Sequence, residues 1–186
     1  NSGTSGGIIM QTGQALHGST GDMRINTGSS GGGTSGSISI EVGISNEKSG
    51  GNVLLSAGDT SSKTGGSVMI RSGQGEATSS GSLSVKTANA GISGSSGSLE
   101  VMTGESSGGS SGSLNIGSGN AAGGASGDIS IAVGTGSNGV GGSLIMRSGS
   151  SEKLTGGSIG LISGPGSTSS SGSVQIATGN SGVRGS

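Results

Sequence analysis

The stretch "GGSVMIRSG", Gly65 to Gly73, sets Val68, Met69 and Ile70 between glycines and serines. Val68 and Ile70 stand two residues apart, the spacing that places side chains on one face of a strand. Working outward, the same arrangement recurs in "GSLEVMTG", Gly97 to Gly104, and throughout the chain. Aligning on the glycine that precedes each apolar pair gives Gly6, Gly21, Gly36, Gly51, Gly66, Gly81, Gly97, Gly112, Gly127, Gly142, Gly157 and Gly172. These open twelve units spaced by 15 residues, except the sixth, whose longer loop "ANAGISGSS" makes it 16. No linker or domain boundary interrupts the series, so residues 1–186 read as a single repeat array, expected to be a segment of a longer one.

Each unit runs glycine, small polar, apolar, variable, apolar, variable, small or β-branched, glycine, followed by a loop of about seven residues. The third position is Ile8, Met23, Ile38, Val53, Val68, Leu83, Leu99, Leu114, Ile129, Leu144, Ile159 and Val174. The fifth is Met10, Ile25, Ile40, Leu55, Ile70, Val85, Val101, Ile116, Ile131, Met146, Leu161 and Ile176. Period-2 alternation of β-branched residues between glycines predicts a short half-buried strand. Such strands cannot bury their apolar faces singly, so the expected fold is an all-β solenoid. Its structural core would hold Val68, Ile70, Leu83, Val85, Leu99, Val101, Leu114, Ile116, Ile129 and Ile131 with their equivalents. The glycine closing each strand, replaced once by Ala88, suggests a turn that needs unusual backbone angles or close approach.

Sorting the units by threes adds a second regularity. Loops after units three, six, nine and twelve carry one branched apolar residue each: Ile44, Ile92, Val140 and Val183. Loops after units two, five, eight and eleven end in Ser35, Ser80, Ser126 and Ser171. This favours a 45-residue coil of three strands repeated four times, with a 15-residue or flattened 30-residue coil as alternatives. A longer echo returns Gly50-Gly51 and Gly65-Gly66 as Gly141-Gly142 and Gly156-Gly157, 91 residues on. That interval points to duplication of a larger module.

Composition narrows the function classes. The chain has 47 glycines, no cysteine, no aromatic residue and 26% hydrophobic residues, which excludes an aromatic-centred core, disulfides and thiolate metal sites. A formal net charge of −1, with 9% charged residues and no basic block, leaves no electrostatic footprint for nucleic acid. No apolar run approaches the roughly 20 residues of a membrane-spanning helix, so no membrane insertion is expected.

The units "GGSVMIRSG", "SGSLEVMTG", "GGSLIMRSG" and "SGSVQIATG" resemble the Gly/Ser/Thr-rich repeats of secreted surface and fibre proteins of diatoms and related algae. They are also similar to repeats of large phage and viral fibres. The resemblance spans nearly the whole chain and implies an extracellular or cell-surface fibrous role, with no functional residues to carry over.

Motifs of chemistry reduce to coincidence in so glycine-rich a chain. "GTGSNG", Gly134 to Gly139, fits a dinucleotide-binding fingerprint but leads into an apolar segment rather than a helix. "GDTSSKT", Gly58 to Thr64, lacks the glycine before Lys63 that a phosphate loop requires. "GTSGG" and "GGSSG" fit the nucleophile-elbow pattern, yet His17 is the only histidine and stands in a loop. The aspartates Asp22, Asp59 and Asp128 recur at no common position that would build a calcium ladder. No enzyme, catalytic residue, metal site or cofactor is therefore expected. The expected function is a structural filament built by stacking solenoid coils, with the chain itself as partner, head-to-tail or laterally, or further repeats of the same chain. Ile9, Leu54, Met69, Met102, Ile145 and Ile162, outside the paired columns, form the candidate contact surface. The alternative is a solenoid adhesin or stalk recognising a glycan, mineral or ice surface, with glycans as additional partners. Regular Thr-x-Thr arrays, which an ice-binding face would want, are absent.

Overall fold

The computed structural model describes residues 5–180. Among them the chain forms neither helix nor strand, and no residue is buried. The expected β-solenoid, whether of 45-, 30- or 15-residue coils, is therefore not what the chain forms. The reason lies in where the backbone hydrogen bonds go. Stacked coils need ladders between residues a full coil apart. The backbone bonds among the described residues instead join positions three or eight apart, such as Gly81 N–H to Gly73 C=O at 2.9 Å. The few bonds that form are local and build no ladder between units.

The 15-residue register nonetheless governs the local structure. Counting the opening glycine as position 1, the chain bends over positions 11 to 13 in loop after loop, at 16–18, 31–33, 46–48, 61–63 and 76–78. The bends continue at 107–109, 122–124, 137–139, 152–154 and 167–169. The sixth loop, one residue longer, makes a turn instead, with Gly94 N–H donating to Gly91 C=O at 3.3 Å.

In five loops a hydroxyl at position 10 secures the bend. Ser30, Ser45, Thr60, Ser106 and Ser151 each accept a hydrogen bond from the backbone N–H at position 13: Gly33, Lys48, Lys63, Gly109 and Leu154. Short hydroxyl side chains readily bond nearby backbone in this way and compete with regular secondary structure. In the fifth and eleventh loops position 10 is glycine for want of space. A side chain on Gly75 would collide with the Ser79 carbonyl oxygen, and one on Gly166 with that of Ser170.

The joint between units depends on position 7, the last residue before the closing glycine. Where it is small, at Ala57, Ser72, Ser148 and Ser163, the next opening glycine comes close enough to bond the closing one. Gly66, Gly81, Gly157 and Gly172 donate to the carbonyls of Gly58, Gly73, Gly149 and Gly164, each at 2.9 Å. These four position-7 residues are half-buried in a chain that is otherwise exposed almost throughout. Where position 7 is β-branched, no such bond forms. Val42 and Val133 put a Cγ1 2.8 and 2.9 Å from where a Cβ would stand on Gly51 and Gly142. At Thr27 the side-chain hydroxyl takes over and donates to the Gly36 carbonyl at 3.2 Å. Small size is required but does not suffice, since the joint after Ser118 stays open. Close approach therefore concerns opening glycines such as Gly51, Gly66, Gly142 and Gly157; the closing glycines, of which it was expected, would meet nothing within 4 Å of a Cβ, and no glycine among the described residues has a positive φ.

The chain divides into two units of structure, Asn1–Gly97 and Ser98–Ser186. Within each, the same features return at the 91-residue interval read from the glycine pairs. Closed joints at Gly58/Gly66 and Gly73/Gly81 of the first correspond to Gly149/Gly157 and Gly164/Gly172 of the second. The crowding at Gly51 and Gly75 corresponds to that at Gly142 and Gly166. The six-repeat module is thus a structural period as well as a sequence one.

Candidate association surface

The residues expected to form a core are all on the surface. Val68, Ile70, Leu83, Val85, Leu99, Val101, Leu114, Ile116, Ile129 and Ile131 keep between 53% and 72% of their area exposed. Ile9, Leu54, Met69, Met102, Ile145 and Ile162 are more exposed still, at 75% to 93%. The two sets differ in the sense the alternation implies. In the fifth unit Val68, Met69 and Ile70 are 53%, 86% and 65% exposed, so the paired columns share the more sheltered side and Met69 the more open one. No strand among the described residues lies across that side.

Loop residues add to this surface. Ile44, Ile92 and Val140, the apolar residues of the third, sixth and ninth loops, are almost fully exposed. Val183, their counterpart in the twelfth, lies outside the described residues. The position-10 hydroxyls were missed in reading the sequence, though their recurrence at one register position was the signal for them.

Polar chemistry on the described surface is sparse. Asp22 and Arg24 form an ion pair at 2.9 Å, with side chains 75% and 81% exposed. Ser39 donates to the Glu41 carboxylate at 2.7 Å. Arg71, Ser72, Gly73, Gln74 and Ser80 line a recess of about 250 Å³ at one closed joint. Among the described residues no cluster of His, Cys, Asp or Glu is placed to hold a metal ion, and no helix is long and apolar enough to cross a membrane. No protein-family model matches the chain, and no curated protein or solved structure matches it.

Proposed function

We infer that the chain is a structural repeat protein, a segment of an extracellular or cell-surface fibre. Its apolar columns find their partners in other copies or in further repeats of the same chain. One observation carries the reading: every Val, Ile, Leu and Met among the described residues is exposed, most of them in a fixed 15-residue register. Exposed apolar surface on this scale marks an interaction face. A second copy is the occupant the pattern favours, because it presents the same columns at the same interval. Seating one Val68–Ile70 pair brings the next pair into place, so weak contacts accumulate along the array. A formal net charge of −1 sets little repulsion against that approach. The resemblance of the units to secreted fibre repeats supports the extracellular setting. The reading assigns the chain no catalysis.

Sedimentation velocity over a wide concentration range, with electron microscopy of the same samples, tests it. The expected result is concentration-dependent growth into filaments or sheets. A monodisperse monomer at every concentration overturns the reading.

A further inference from the structure

We propose that Asn138 is a site of spontaneous deamidation, set up by the loss of the hydroxyl that guards the equivalent backbone amide in other loops. The ninth loop, "TGSNGVG", Thr135 to Gly141, contains the only Asn-Gly dipeptide in the chain. Asn138 and Gly139 occupy positions 12 and 13 and lie on the exposed bend 137–139. In five other loops the position-13 N–H is held by a position-10 hydroxyl. Here position 10 is Gly136, which has no hydroxyl to offer. The Gly139 nitrogen is also unhindered: a Cβ built on Gly139 would meet nothing within 4 Å. Without a side chain of its own, Gly139 permits the backbone angles that bring its nitrogen to the Asn138 amide.

The chemistry follows from those neighbours and needs only water as co-reactant. The Gly139 nitrogen attacks Cγ of Asn138; the N–Cγ bond forms and the Cγ–Nδ2 bond breaks. The proton from the Gly139 nitrogen goes to the departing Nδ2, which leaves as ammonia, and a succinimide remains. Water then opens the ring. Cleavage of the N–Cγ bond yields Asp at this position, while cleavage of the bond to the main-chain carbonyl yields isoaspartate, whose backbone is longer by one methylene. Either product adds a negative charge to a chain whose formal net charge is −1. The site sits beside Val140, an exposed apolar residue of the association surface.

The full-length chain, incubated at mildly alkaline pH and followed by peptide mapping with isoaspartate detection, provides the test. Asn89 and Asn120, each followed by alanine, are internal references. Asn138 is expected to convert fastest. Gly136→Ser restores the position-10 hydroxyl where there is room, since nothing lies within 4 Å of a Cβ there. It is expected to slow conversion about twofold to 13-fold, the effect of engaging one amide in a hydrogen bond. Gly139→Ala is expected to slow it through the added methyl. Conversion at Asn138 no faster than at Asn89 and Asn120 overturns the proposal, as does an unchanged rate in Gly136→Ser.

Discussion

Replacing Ser72 with valine tests whether the bulk of position 7 decides which joints close. In the native chain Gly81 N–H donates to Gly73 C=O at 2.9 Å across the loop that follows Ser72. A backbone hydrogen bond of this kind contributes about 0.5–1.5 kcal/mol net, which corresponds to roughly twofold to 13-fold slower amide exchange. Valine at Ser72 would place a γ-methyl where Val42 places its own, 2.8 Å from the Cβ position of the next opening glycine. The two joints with valine at this position, after Val42 and Val133, carry no such bond, and the variant joint is expected to open in the same way. Hydrogen exchange resolved at single glycine amides by NMR reads the outcome. In Ser72→Val, Gly81 should exchange as fast as Gly51, whose joint is open. Gly66, Gly157 and Gly172, at separate joints, should keep their protection, because distant sites behave independently. Protection of Gly81 persisting in the variant, or no difference in the native chain between the four bonded glycines and Gly36, Gly51 or Gly142, would refute a role for position 7 in the joint.

Three further outcomes are expected. Ile70→Ser removes an apolar side chain of which 65% remains to be covered; at about 1.5–3 kcal/mol for full burial this forfeits about 1–2 kcal/mol per contact. The critical concentration for assembly should then rise about 5- to 30-fold, as read by light scattering. Ser151→Ala deletes the acceptor for Leu154 N–H at 2.9 Å, and exchange at Leu154 should accelerate by about twofold to 13-fold with no change at Gly157. Asp22→Asn breaks the exposed pair with Arg24; since such pairs contribute about 0–1 kcal/mol, assembly measured by sedimentation should be unaltered.

The register of the chain was plain from the glycines and the paired columns, and so was the 91-residue module, which reappears in the closed joints at Gly58/Gly66 and Gly149/Gly157. That the expected strands do not form was not legible, because alternation such as Val68, Met69, Ile70 reports which side chains share a side and carries no information about what faces them. The same pattern would arise whether the sheltered side meets a neighbouring coil, another molecule or only its own loop. The closing glycines were expected to need unusual backbone angles or close approach, yet a Cβ on Gly58, Gly73, Gly149 or Gly164 would meet nothing within 4 Å and none has a positive φ; the crowding falls on opening glycines such as Gly51 and Gly142. A γ-methyl at position 7 keeps a joint open, whereas a small residue there permits closure without ensuring it, as Ser118 shows. The sequence displays that difference between Ser72 and Val42, but it has meaning only once the two glycines are known to approach one another.

The hydrogen bonds among the described residues never link positions more than nine apart, as in Thr27 to Gly36. A recombination event that inserts or excises one whole repeat would therefore disturb one joint and leave the rest as they were. Selection can lengthen or shorten such a gene in steps of a single repeat without compensating substitutions elsewhere. The size of position 7 is then free to drift from copy to copy, setting which joints of the array can close.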